Sequence, residues 1–282
     1  MLVLAFATLK GATAQPAPET LPAQPADKSC YWLLNPTPNA LLRPFSPDRP
    51  NKTEGPYTVD AGHYQVEMDV ANFTRDADPA PRTDLVGAGW MNLKAGLCNR
   101  ADFQLLINSY SYLRTVREGG ARIQQGFGDI LTRLKVNFWG DDGGSTASGV
   151  IPWLEFPTSQ DQLGSQGVQT GIIFPLAVQL PDDFNLALMT TFAFVRDDEG
   201  RAYHQEYANS ICLSHALIGR LGGYVEFYAL VGTEPGSEWQ GTADIGLTYG
   251  LTESVQIDTG ANFGVTRAAP DLNLFAGLAF RF

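Results

Sequence analysis

Gly277-Leu278-Ala279-Phe280-Arg281-Phe282 ends the chain, and the reading of this stretch decides the fold. Side chains of an extended strand alternate between two faces. Leu272, Leu274, Ala276, Leu278, Phe280 and Phe282 therefore share one face, while Asn273 and Arg281 share the other. A strand that is apolar on one side and closes on an aromatic has the form of the last strand of a bacterial outer-membrane β-barrel. There it makes the closing seam, and Phe280 and Phe282 are expected to be the signal read by the barrel-assembly machinery.

The same period of two extends upstream to Gly62. Tyr64, Val66, Met68 and Val70 alternate with Gln65, Glu67 and Asp69, and Met91, Leu93 and Ala95 with Trp90, Asn92 and Lys94. Across Gly126 to Trp139 the apolar set Ile130, Leu134, Val136 and Phe138, with Thr132, opposes Asp129, Arg133, Lys135 and Asn137. Ala243, Ile245, Leu247 and Tyr249 oppose Thr242, Asp244 and Thr248, and Val255, Ile257, Ala261 and Phe263 oppose Gln256, Asp258 and Asn262. A face carrying several charges opposite a continuous apolar face fits a wet interior and a lipid-facing exterior; a soluble sandwich would turn its greasy face inward. The remaining segments, near 101–113, 147–156, 167–180, 183–195, 203–218 and 221–232, bring the expectation to an antiparallel transmembrane β-barrel of about twelve strands, each about 10–14 residues long.

Connection lengths agree with that reading. Residues 98–100, 180–183, 219–222 and 250–253 are short turns, whereas 74–83, 115–125, 157–165 and 196–202 are longer, and 140–145 is intermediate. Such barrels have short turns on the periplasmic side and longer loops outside. Trp139, Tyr203, Trp239, Tyr249 and Phe282 fall near strand ends, where interfacial aromatic girdles lie. Pro152 and Pro175 fall inside strands and lead us to expect bulges or kinks there.

The chain has 282 residues, 17% of them charged and 44% hydrophobic, without an apolar run long enough for a membrane-spanning helix. Its net charge of -11 argues against nucleic acid as a partner. Cys30, Cys98 and Cys212 form no CxxC pair and imply no disulfide scaffold. Residues 1–14 read as a signal peptide, an apolar stretch before Ala12-Thr13-Ala14. Ten of the eighteen prolines precede residue 60, so 15–58 is expected to be a Pro-rich tail or plug and 59–282 the barrel. Three histidines bear on catalysis. Ser214 and His215 point to opposite faces, and His204, with Glu206 and near Asp197 and Asp198, is the best acid–base candidate. No metal-ligand spacing is evident and no cofactor is expected; the acidic run 197–199 reads first as solvated charge, with a divalent cation at the lipopolysaccharide surface as the alternative.

The stretch Asp48-Arg49-Pro50-Asn51-Lys52-Thr53-Glu54-Gly55-Pro56, followed by Gly62-His63-Tyr64-Gln65-Val66-Glu67, resembles the lead-in to the first strand of bacterial outer-membrane transporters grouped as the MetA-pathway-of-phenol-degradation family. There an Arg-Pro, a Thr-Glu-(Ser/Gly)-Pro and a Gly-x-x-Gln-x-Glu occur in this order; Gly55 stands here where serine is frequent. The resemblance reaches the closing strand. It implies a channel or transporter, often associated with aromatic catabolism, without fixing a substrate. Arg49 and Glu54 are candidates to pin the segment to the lumen wall.

The expected function is an outer-membrane channel or transporter in a Gram-negative bacterium, moving small solutes by passive or facilitated diffusion, aromatic or other hydrophobic catabolic substrates among them. It is not expected to be an enzyme; the alternatives are a lipid-acting barrel enzyme and a structural or adhesive barrel. Lipid, lipopolysaccharide, the assembly machinery and a small solute are the expected partners. The predicted lumen charges are Glu67, Asp69, Asp129, Glu155, Glu226, Asp244 and Asp258 against Lys94, Arg133, Lys135 and Arg281, an acidic excess that favours cations or neutral solutes.

Overall fold

The computed structural model describes residues 27–77, 81–197 and 202–282. The signal peptide read at 1–14, the first part of the Pro-rich stretch, and Asp198 and Glu199 lie outside the described residues.

Among the described residues thirteen strands follow one another, each antiparallel to its neighbours. They are β1 (Tyr64–Asp76), β2 (Arg82–Cys98), β3 (Ala101–Arg117), β4 (Gly120–Gly126), β5 (Ile130–Trp139), β6 (Thr146–Phe156), β7 (Gln169–Gln179), β8 (Asn185–Arg196), β9 (Tyr203–Ile218), β10 (Leu221–Gly232), β11 (Gln240–Gly250), β12 (Val255–Gly264) and β13 (Leu272–Arg281). β13 pairs with β1, with Met68 opposite Leu278, so the wall closes on itself. Both β4 and β5 pair with β3. Ser111 opposite Gly126 and Ile107 opposite Ile130 belong to one register, so β4 and β5 are two lengths of a single stave, and thirteen strands make a twelve-stave barrel. The interruption at 127–129 is bridged where Gly128 N–H donates to Asn108 O at 2.8 Å.

Burial is inverted relative to a soluble protein. Lys135 is 0% exposed and Asn137 2%, whereas Leu134 and Phe138 on the opposite face of β5 are 39% and 48% exposed. Glu67, Asp102, Glu226, Asp244 and Asp258 are buried inward, while Val225, Ile245, Leu247, Ile257 and Leu274 face out. Such an apolar belt is stable where hydrocarbon surrounds it, and the closed ladder satisfies the backbone there. No helix among the described residues is long and apolar enough to cross a membrane. Among the exposed aromatics, Tyr64, Trp139, Tyr249 and Phe282 lie at the end where the barrel begins and finishes, and Tyr203 and Trp239 at the opposite end.

Two expectations are corrected. Residues 115–125 are not a loop but the extension of the β3–β4 hairpin, turned at 118–119, because backbone pairing continues past the alternating apolar belt. Pro152 and Pro175 cause no bulge: β6–β7 keeps one register from Ser148–Leu176 to Glu155–Gln169 and β7–β8 is continuous past Pro175, so the ladder skips pairs without shifting. The bulges lie elsewhere, as between Asp69 and Ala71, where Val70 and Ala71 are both exposed. The first strand starts at Tyr64, where the alternation begins; just before it Val59 N–H donates to Asp102 Oδ2 at 2.9 Å and Gly62 N–H to Gly96 O at 2.9 Å.

Candidate functional site: a lumen crossed by the N-terminal segment

Proline and polar residues cannot make a regular stave, and between Arg43 and Gly62 they make an internal loop. The chain approaches at the terminal end of the barrel, where Leu33 N–H bonds to Leu97 O at 2.9 Å and Thr37 N–H to Ala61 O at 2.9 Å. It rises inside the wall to Asn51–Glu54 and returns to Gly62, where β1 begins.

On the ascending limb Asp48 lies between two lysines of the wall. Its carboxylate accepts from Lys135 Nζ at 2.7 and 2.6 Å and from Lys94 Nζ, and Lys94 is shared with Glu67. Glu67 in turn accepts the backbone N–H groups of Asp48 and Arg49, each at 3.1 Å. Burial alone would raise the Asp48 pKa, but the ammonium groups of Lys135 and Lys94 outweigh it and hold the carboxyl well below its ordinary range.

One residue on, the Arg49 guanidinium spans two staves. Its Nε–H and one Nη–H bond to the two Asp258 oxygens at 3.0 and 2.7 Å, and the other Nη contacts Asp69 at 2.5 Å. Room for it is made by Gly277 of β13: a Cβ there would come within 1.9 Å of an Arg49 nitrogen. A fork presenting fixed donors to a carboxylate is the geometry that distinguishes arginine from lysine.

At the apex the backbone itself is held. Glu226 accepts from Lys52 N–H at 2.9 Å, from Thr53 N–H at 2.7 Å and from the Thr53 hydroxyl, which also lies 2.7 Å from Ser210 Oγ. Lys52 Nζ reaches Thr242 Oγ1 at 2.6 Å and Asp244 at 3.2 Å, and Glu54 pairs with Arg133. The descending limb is fixed by Asn137 Nδ2 donating to Pro56 O at 3.0 Å and by Asp141 accepting Thr58 N–H at 3.0 Å. At its base Arg43 meets Asp142 at 2.9 Å and donates its N–H to Asp60 at 3.0 Å; Arg281 donates to Arg43 O at 2.8 Å. Burial opposes ionisation of Asp142, but Arg43, Asn99 and Lys28 more than compensate and keep its pKa low.

Toward the loop end the segment leaves two cavities. One, of about 340 Å³, is faced by amides such as Asn72, Asn92, Asn108, Asn262 and Asn273 together with Trp90. The other, of about 410 Å³, has Trp153, Ile173, Met189, Tyr228 and Leu230 beside Lys52, Glu54 and Arg133. Buried atoms Arg133 Nε and Glu54 Oε2 have no hydrogen-bond partner among the described residues. Asp129 and Glu155 face the 157–168 connection: Asp129 accepts Ser159 N–H at 2.8 Å and Ser165 N–H at 2.6 Å, and Glu155 interacts with Ser165.

The structure thus brings Glu67, Asp69, Lys94, Arg133, Lys135, Glu226, Asp244, Asp258 and Arg281 onto the N-terminal segment, and Asp129 and Glu155 onto a connection. The acidic excess is not a free field. The loop contributes Arg43, Arg49 and Lys52 against Asp48, Glu54 and Asp60, leaving the balance unchanged while pairing Asp69, Asp244 and Asp258 individually. Sequence reasoning missed Asp48, which two lysines of the wall hold. Its signal was its place directly before Arg49-Pro50 in the lead-in motif.

A closed antiparallel wall with an apolar exterior, aromatic ends and a charged interior defines a β-barrel of the outer-membrane type. The chain belongs to the family described as "Putative MetA-pathway of phenol degradation", whose model matches residues 47–282 and so takes in the lumen loop with the barrel. Among solved structures, the NanC porin is similar at 9% identity and a TM-score of 0.53, over 77% of this chain and 98% of that one. The translocator domain of the autotransporter NalP from Neisseria meningitidis, at 9% identity, gives 0.48 over 78% and 88%. No protein of curated function shows a significant sequence match.

Proposed function

We propose that this protein is a channel, not an enzyme, in the outer membrane of a Gram-negative bacterium, and that it passes small solutes by passive or facilitated diffusion. The terminal end, with the short turns, faces the periplasm. Lipopolysaccharide and lipid surround the apolar belt, and Phe280 and Phe282, stacked at 6.0 Å on the seam strand, present the assembly signal.

The observation that carries this reading is the lumen itself, a charged interior lined from many staves and narrowed by a loop held through side-chain contacts. A narrowed polar bore selects by size and by the groups it offers in exchange for hydration. The 410 Å³ cavity offers a small amphipathic solute an aromatic and aliphatic wall in Trp153, Tyr228 and Ile173, with Lys52, Glu54 and Arg133 as its polar side. That lining and the phenol-degradation family name favour aromatic catabolic substrates. The net acidic lumen favours neutral molecules and cations over anions.

Purified full-length protein in planar bilayers tests the proposal. Small, cation-preferring conductance steps are expected, with faster uptake of a neutral phenol than of a sugar of similar size into proteoliposomes. A correctly folded barrel, with heat-modifiable gel mobility, that neither conducts nor passes solutes would refute it.

A further inference from the structure

Opposed residues of antiparallel strands share a face, so the register at the loop end sets out rows of side chains running across the wall. Leu274, Phe73, Val86 and Tyr112 stand opposite one another across β13, β1, β2 and β3. Leu274 and Val86 are 44% and 43% exposed, and the row belongs to the apolar belt. Two residues further along each strand the next row reads Leu272, Arg75, Asp84, Arg114 and Ile123, the last on β4. Asn72 and Asn273, at the alternate positions, bond to each other at 2.8 Å in the lumen, so both rows look outward.

The second row is cationic in a chain of net charge -11. Arg75 Nε donates to Asp84 Oδ1 at 2.7 Å, and Arg82, two residues before Asp84 on the same face, donates through one Nη to Oδ2 at 2.8 Å. Arg114 is exposed and makes no hydrogen bond or ion pair among the described residues. Three guanidinium groups thus surround one carboxylate and leave two positive charges uncompensated. The side chains of Arg75 and Arg82 stay 44% and 45% exposed while that of Asp84 is covered to 13%, so this face offers donors rather than a carboxylate. Arg75 also lies over the Phe73 ring at 5.3 Å, which joins the charged row to the apolar one. Guanidinium groups at the upper edge of a belt, with an apolar row directly beneath, match an anionic lipid: forked donors for headgroup phosphate and a greasy wall for the acyl chains below it.

We propose that Arg75, Arg82 and Arg114 bind the phosphorylated sugar head of a lipopolysaccharide molecule, its acyl chains lying against Phe73, Val86, Tyr112 and Leu274. The site rests on the placement of the loop end outside the cell, where lipopolysaccharide forms the outer leaflet. Arg122 marks its boundary. Opposite Thr115 on the other face of the β3–β4 hairpin, Arg122 bonds to Gln162 at 2.8 Å and takes no part.

The test is native mass spectrometry of full-length protein, folded in detergent and shown closed by heat-modifiable gel mobility, titrated with bisphosphorylated and with dephosphorylated lipid A. One bisphosphorylated lipid A per chain is expected, with the dephosphorylated form bound about 10-fold more weakly and phosphatidylglycerol a poor competitor. Arg75→Ala and Arg114→Ala should each weaken binding about 5-fold, Arg114→Lys should recover part of the loss, and Arg122→Ala should match the wild type. Equal affinity for the two lipid A forms, equal competition by phosphatidylglycerol, or unchanged binding by Arg75→Ala and Arg114→Ala overturns the site and leaves solvated arginines at the rim. None of these readouts depends on conduction. A barrel that conducts without phosphate-dependent lipid binding loses this site alone, and one that binds lipid A without conducting loses the channel alone.

Discussion

Arg49 and Asp258 are 209 residues apart and joined by two hydrogen bonds, a forked contact that fastens the N-terminal loop to the stave beside the closing seam. Replacing Asp258 by Ala leaves a mostly buried guanidinium with Asp69 as its one remaining carboxylate. Breaking such a pair costs on the order of 3 kcal/mol. If the loop limits conduction, that loss raises the undocked population by roughly 100-fold. Single-channel recording of Asp258→Ala should show larger, longer openings, and traces indistinguishable from wild type would argue that the loop does not gate the bore.

Gly277→Val makes the same point without removing any charge. The new side chain occupies the space of the Arg49 guanidinium, which a Cβ alone approaches to 1.9 Å. Proteolysis should then reach the Asp48–Glu54 stretch in folded barrels, while the wild type resists. Equal resistance in the two proteins would count against the packing described for β13.

Acid should release the loop late. Docked Asp48 has its pKa held below the ordinary 3.8 by Lys135 and Lys94 against the opposing effect of burial, and the undocked group returns to that ordinary value. A group depressed in the docked state stabilises docking fully above the undocked pKa and loses that contribution as pH falls through the docked value. Conductance should therefore stay constant from pH 7 to about pH 5 and rise only well into acid, below about pH 4. In Asp48→Asn the acid step should shrink and conductance at neutral pH should already be raised.

Much of this architecture can be read from residues alone, because lipid enforces it. Lys135 and Asn137 against Leu134 and Phe138 must alternate wherever one face meets hydrocarbon and the other water, so stave positions follow from the period of two. The β3–β4 hairpin eluded that logic, since its backbone pairs to Arg117 and Gly120 without an alternating pattern. The lumen contacts were half legible. The inward charges show their face, but their partners are set by the path of an irregular Pro-rich loop, and Asp48 with Lys135 or Arg49 with Asp258 leaves no periodic trace. His204 and Glu234 meet only because β9 and β10 pair, which no spacing along the chain reveals.

Trp153→Ala should separate solute recognition from gating. It removes the indole wall of the 410 Å³ cavity and leaves the contacts of Asp48 and Arg49 in place. Phenol uptake into proteoliposomes should fall several-fold while ionic conductance stays the same or rises. A parallel loss of both would mean that the indole supports the barrel and not the solute path.

The most direct test fixes the loop in place. Thr53 Oγ1 and Ser210 Oγ lie 2.7 Å apart, so cysteines at 53 and 210, with Cys30, Cys98 and Cys212 replaced by serine, are placed to form a disulfide between the apex and β9. The account predicts near-complete cross-linking in native membranes, and a channel that stays at its lowest conductance when oxidised and recovers its openings when reduced. Absence of the cross-link, or conductance indifferent to reductant despite it, would contradict the claim that this loop occupies and controls the lumen.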